Sequence, residues 1–114
     1  MAKILVVEDE IDQLAIRRQL LEHAGYEVVT AQNAAAALPQ LAGSQAVLMD
    51  LRIPKLEDGL QLIQAAAAAS IRIIVLSGAE PDAALAVDEF LTKPCSSKKL
   101  LETVARFCAN AQGA

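Results

Sequence analysis

Ile4-Leu5-Val6-Val7-Glu8-Asp9 is the stretch on which the fold turns. Four apolar residues without a polar interruption read as a short strand buried on both faces. The acids that end the run then stand at the C-terminal tip of that strand. The same design returns along the chain. Ala46-Val47-Leu48-Met49 ends at Asp50, Ile73-Ile74-Val75-Leu76 ends at Ser77, and Phe90-Leu91-Thr92 ends at Lys93 with Pro94 after it. If these runs are neighbouring parallel strands, their polar ends share one edge of one sheet. That edge is the crevice where open α/β sheets bind ligands. Three carboxylates, a hydroxyl and an ammonium gathered there suit a divalent cation and a phosphoryl group.

Tyr26-Glu27-Val28-Val29-Thr30 supplies a fifth candidate strand, and the segments between strands read as helices. The first helix opens at Asp9 or Glu10 and runs to about Ala24, with Gly25 as its stop. Ile16, Leu20 and Ala24, with Leu21 beside them, are expected to face inward. That phase leaves Ile11 and Leu14 off the stripe, exposed near the site. A second helix spans about Asn33 to Ala42, with a kink or early end at Pro39. A third runs from about Leu60 to Ala69 through an alanine tract with strong helix propensity. The last begins after Ser96 or Ser97 and buries Leu101, Val104, Ala105 and Cys108. Strand and helix alternate throughout, which argues for a parallel sheet covered on both faces. With no internal repeat or linker, residues 1–114 read as a single domain.

Composition narrows the function. More than half of the residues are apolar, so a substantial core is available. The net charge is −4 with no basic stripe, and aromatics are scarce, which disfavours direct nucleic-acid binding. No apolar run approaches a membrane span, and acids follow the first short one, unlike a signal peptide. Cys95 and Cys108 lack metal-ligand spacing and read as reduced thiols, so a cytoplasmic location is expected.

Glu8, Asp9 and Asp50 repel one another in a shared crevice, and Mg2+ relieves that repulsion. Asp50 stands at a strand tip before a loop with Pro54 and Gly59, a suitable place for an exposed nucleophile. A carboxylate can attack phosphorus to give an aspartyl phosphate. Lys93 and Ser77 are placed to meet the phosphoryl oxygens.

The chain resembles the receiver domain of two-component response regulators. The matching pieces are Ile4-Leu5-Val6-Val7-Glu8-Asp9-Glu10, Val47-Leu48-Met49-Asp50-Leu51-Arg52-Ile53-Pro54, Asp58-Gly59, Val75-Leu76-Ser77-Gly78 and Phe90-Leu91-Thr92-Lys93-Pro94. The resemblance implies a flavodoxin-like, doubly wound α/β fold with strand order 2-1-3-4-5. It implies that Asp50 takes a phosphoryl group from a histidine kinase or histidine phosphotransfer protein. It also implies Mg2+ held by Glu8, Asp9, Asp50 and the backbone carbonyl of Arg52, with Ser77 and Lys93 on the phosphoryl oxygens. Ser77 and Phe90 would act as a switch, Ile11 and Leu14 would dock the kinase, and the Lys93–Pro94 bond would be cis. Such a module catalyses only its own phosphorylation and dephosphorylation, and its downstream protein target is not written in the sequence.

Two departures stand out. The Pro54–Gly59 loop has one residue more than the common form. The Ser77–Lys93 segment is short, leaving only Glu80 to Val87 for a shortened fourth helix. The alternatives are a receiver-like binding module that signals without phosphorylation and, less well supported, a Mg2+-dependent phosphatase.

Overall fold

In the computed structural model, which describes residues 2–78 and 86–108, the five apolar runs form one parallel sheet. The strands are β1 (Lys3–Val7), β2 (Glu27–Ala31), β3 (Ala46–Met49), β4 (Arg72–Ser77) and β5 (Glu89–Thr92), in the order β2-β1-β3-β4-β5. The helices are α1 (Ile11–His23), α2 (Ala34–Ala37), α3 (Leu56–Ala68) and α4 (Ser97–Phe107), with a 3-10 turn at Leu38–Gln40 after α2. The architecture is the doubly wound α/β fold expected from the alternation of elements.

Side chains alternate across the strands, so each apolar run feeds two cores. Leu5, Val7, Val47, Met49, Ile73 and Val75 face α2 and α3. Ile4, Val6, Leu48, Ile74, Leu76 and Leu91 face α1 and α4. Central strands covered on both faces need continuous apolar sequence, which is why Ile4–Val7, Ala46–Met49 and Ile73–Leu76 carry no polar residue. Register then aligns the exits. Val7 lies beside Met49 and Met49 beside Val75, while Ser77 lies beside Thr92. Three further bonds carry the alignment past the strands: Glu8 N–H donates to the Ala31 carbonyl at 3.1 Å, Asp50 N–H to Val7 at 3.3 Å and Lys93 N–H to Ser77 at 2.9 Å.

Several elements depart from the sequence reading. The buried face of α1 consists of Leu14, Arg17 and Leu21, while Ile16 is 57% exposed. The helix is rotated from the expected phase because a charged residue, Arg17, occupies the inner stripe, which hydrophobicity alone does not reveal. Leu14 is consequently core and not available for docking, whereas Ile11 is 65% exposed. Helix α2 ends early, at Pro39 as expected, after Asn33 Oδ1 accepts from Ala36 N–H at 2.8 Å. Helix α3 starts at Leu56, a turn before the expected Leu60, because Asp58 accepts from Lys55 N–H at 3.1 Å and closes its first turn. Ser96 Oγ caps α4 by accepting from Lys99 N–H at 3.1 Å. The inner face of α4 is Leu100, Thr103, Val104 and Cys108, with Ala105 turned outward. The expected short helix over 80–87 lies outside the described residues except for Ala86 and Val87, which are not helical.

Gly59, expected in a loop, lies inside α3 and sets how closely that helix approaches the segment after β3. A Cβ at this position would fall 1.9 Å from the Leu51 carbonyl oxygen. A Cβ at Gly78, the residue after β4, would meet nothing within 4 Å. Gly59→Ala is therefore expected to cost about 3 kcal/mol or more in urea unfolding, and Gly78→Ala less than about 0.5 kcal/mol.

Candidate functional site: an acidic crevice closed by two cations

The site forms where β1, β3 and β5 leave the sheet. Glu8 follows β1 directly and is almost completely buried, 1% exposed. Asp9, next along, is exposed. Asp50 follows β3 and is half-buried. Its Oδ1 accepts from Arg52 N–H at 3.3 Å, a local turn that holds the Arg52 backbone close to the carboxylate. Leu51 and Ile53, which flank Arg52, are buried, and the Ile53 carbonyl accepts from Ala34 N–H at 3.0 Å. The segment after Asp50 is thus anchored to α2 on the same face of the sheet. The Ile53–Pro54 and Lys93–Pro94 bonds are both cis.

Lys93 crosses the crevice. Its Nζ lies 2.7 Å from Asp50 Oδ2 and 3.4 Å from Glu8 Oε1. Residues separated by 43 and 85 positions in sequence meet at one ammonium. Burial by itself would lower the Lys93 pKa. The hydrogen bond and charge of Asp50, joined by the charge of Glu8, outweigh it and raise the pKa. Ser77, the last residue of β4, is buried at the same sheet edge, and Phe90 packs half-buried against the α2–α3 core.

One site residue escaped the sequence reading. Arg17 is buried in α1 and donates from Nη1 to Glu8 Oε1 at 2.5 Å. The other Glu8 oxygen accepts from Glu10 N–H at 3.2 Å. The available signal was positional: Arg17 stands a turn from both Leu14 and Leu21, on the face that must meet β1. Burial pushes the Glu8 carboxyl up, but hydrogen bonds from Asp9, the Glu10 backbone and Arg17 prevail and hold it at about 2. Asp9 is raised, chiefly by its hydrogen bond to Glu8, so of this pair Asp9 keeps its proton longer.

Among the described residues, no group of three acids is placed to hold a metal ion by itself. Glu8 and Asp50 each meet protein donors on both oxygens, but Glu8 is sealed from solvent whereas Asp50 is partly open and Asp9 is exposed. Mg2+ characteristically takes one or two carboxylates and fills its remaining positions with water and phosphate oxygens. Asp9 and Asp50, with the Arg52 backbone held beside the second, are a donor set of hard oxygens that fits Mg2+.

The match to known proteins covers the same residues. A family model described as the response regulator receiver domain matches residues 4–105. The chain belongs to the response regulator receiver family. This receiver domain is 31% identical over 111 residues to the transcriptional regulatory protein CpxR homolog of Haemophilus influenzae, covering 91% of the chain and 49% of that protein. It is 38% identical over 107 residues to the probable transcriptional regulator ycf27 of Cyanophora paradoxa, covering 86% of the chain and 44% of that protein. The receiver domain thus spans about half the length of the curated relatives it matches. Among solved structures it superposes on the Thermotoga maritima response regulator TrrA, in complex with Mg2+ and BeF, with a TM-score of 0.83. That pair is 27% identical and covers 95% of this chain and 100% of TrrA. The Vibrio cholerae chemotaxis protein CheY4 gives a TM-score of 0.82 at 27% identity, covering 95% and 99% of the two chains. Among the described residues, no helix of the receiver is long and apolar enough to cross a membrane.

The Glu8 network has a pH consequence. With its folded pKa depressed from 4.5 to about 2, Glu8 binds fewer protons in the native than in the unfolded chain across that window. Its stabilising contribution is complete above the unfolded value and is lost as pH falls toward about 2. In metal-free buffer, denaturant unfolding between about pH 5 and pH 2 is expected to show a shallower acid limb for Glu8→Gln than for the native chain.

Proposed function

We propose that this domain is a phosphoacceptor: Asp50 takes a phosphoryl group from a histidine kinase or histidine phosphotransfer protein in a Mg2+-dependent reaction. The observation that carries this reading is the 2.7 Å contact between Lys93 Nζ and Asp50 Oδ2 at the sheet edge. It fixes a cation on the acceptor carboxylate and leaves that carboxylate partly open to solvent. An oxygen of Asp50 attacks phosphorus as the bond to the donor's imidazole nitrogen breaks. Such a transfer involves little covalent help from the protein and depends on positioning and charge. Lys93 shifts from the carboxylate to a phosphoryl oxygen without leaving the crevice, and Ser77 donates a hydrogen bond to another. Asp9, Asp50 and the Arg52 carbonyl would hold Mg2+, which would supply positive charge to the phosphoryl group. Glu8 sits behind this set and steadies Lys93. Support for the metal comes from the donor chemistry and from TrrA, whose structure holds Mg2+ with BeF.

The partner surface follows from the corrected phase of α1. Ile11 and Ile16 are exposed on that helix, beside a groove of about 450 Å³ whose lining includes Ile16, Leu20, Pro94 and Cys95. An apolar helix face of a phosphodonor would pack here, within reach of Asp50. Ser77 and Phe90 form the switch that reports the phosphoryl group to a downstream protein.

Acetyl phosphate with Mg2+, read by intact mass, tests the acceptor assignment. One phosphoryl group per chain is expected on the native protein and none on Asp50→Asn. Lys93→Ala should accept it about 100-fold more slowly. Continuous turnover of the donor would instead indicate a phosphatase, and no adduct on the native protein would indicate a binding module. Ile11→Ser is expected to slow transfer from a phosphorylated kinase while leaving the acetyl phosphate rate unchanged. Equal loss with both donors would refute the docking role.

A further inference from the structure

Arg17 occupies a position where the inner face of α1 otherwise takes leucine. Leu14 and Leu21, a turn to either side, are buried against the sheet, yet the Arg17 side chain is only 8% exposed. A guanidinium enters a core only when a partner charge goes with it. That partner is Glu8, whose side chain is 1% exposed and whose Oε1 accepts from Arg17 at 2.5 Å. Lys93 reaches the same oxygen at 3.4 Å, and Glu10 N–H holds the other at 3.2 Å. The first acid of the crevice is therefore held on both oxygens by three of the protein's own donors.

We propose that Arg17 is a resident counter-ion of the acid crevice: it keeps Glu8 out of the metal's ligand set and lowers the affinity of the remaining site for Mg2+. The inference rests on the acceptor-site reading above. Its physical basis is twofold. The guanidinium occupies an oxygen that would otherwise face the cation, and its positive charge partly cancels the field that attracts one. In return, the carboxylates at the strand ends do not need a metal to coexist. Arg17 and Lys93 relieve their repulsion from within, so the crevice stays assembled when Mg2+ leaves.

Mg2+ titrations followed by amide chemical shifts, paired with thermal unfolding with and without Mg2+, separate this role from simple packing. Three proteins suffice: native, Arg17→Met, and the double variant Glu8→Gln/Arg17→Met. Removing the guanidinium alone exposes Glu8 to the cation. Arg17→Met should bind Mg2+ about tenfold more tightly, and Mg2+ should raise its melting temperature more than it raises that of the native chain. Folding of Arg17→Met only in the presence of Mg2+ would be the same result in stronger form. The double variant buries no charge at either position and so keeps its fold even if Arg17→Met does not. Its Mg2+ affinity should lie within about threefold of the native value, because the pair it replaces contributes no ligand. A tenfold or greater loss in the double variant would make Glu8 a metal ligand and overturn the proposal. So would unchanged Mg2+ affinity in Arg17→Met. Failure of all three proteins to bind Mg2+ would remove the acceptor-site reading itself, and this inference with it.

Discussion

Every other feature of the crevice depends on Glu8 being charged and buried at the same time. An ionised carboxylate in that position is tolerable only with cations brought to it, and the chain brings two, Arg17 from α1 and Lys93 from the end of β5. These two contacts tie the first helix and the last strand to the tip of β1. Lys93 continues to Asp50, so the carboxylate at the tip of β3 is held by the same charge network that stabilises the fold. Stability and chemistry here are not separable properties of different residues. A buried ion pair contributes modestly to net stability when complete but costs several kilocalories when half is removed. The arrangement thus makes the crevice sensitive to any change in its own charge.

The sheet was readable from the sequence because its requirements are simple. Strands covered on both faces must be apolar from end to end, and the polar residues that end the runs at Glu8, Asp50 and Lys93 mark where they exit. The short loops left little freedom in topology. The helices were less legible. Apolar side chains are scattered around α1, and the true inner face carries an arginine, so periodicity favoured the Ile16–Leu20–Ala24 stripe over the Leu14–Arg17–Leu21 one. Only the knowledge that Glu8 needs a partner resolves the two, and that need is a property of the folded crevice. The start of α3 was hidden for a different reason. Gly59 reads as a turn residue, yet it serves as the point of closest approach between helix and loop.

The candidate site was similarly half visible. Residue types at the strand ends announced acids, a hydroxyl and an ammonium in one place. What the types could not announce was their division of labour. Glu8 and Asp9 are adjacent acids, but one is sealed inside and paired while the other faces solvent with a raised pKa. The resemblance names both acids together, and the strand's pleat and the reach of Arg17 give their side chains unlike surroundings.

The burial of β5 carries a mechanical implication. Strands β1 and β3 are sealed along nearly their whole length, and the segment after Asp50 is clamped by Leu51, Ile53 and the neighbouring α3. In β5 only Leu91 is buried, while Glu89 and Phe90 are half-exposed and Thr92 is open to water. Local opening costs least where fewest apolar contacts must be broken. The crevice is thus built like a vice with one fixed jaw and one compliant jaw. Whatever displaces Lys93 from Asp50 meets least resistance along β5, and the deformation is directed toward the outer rim of the sheet, away from its interior.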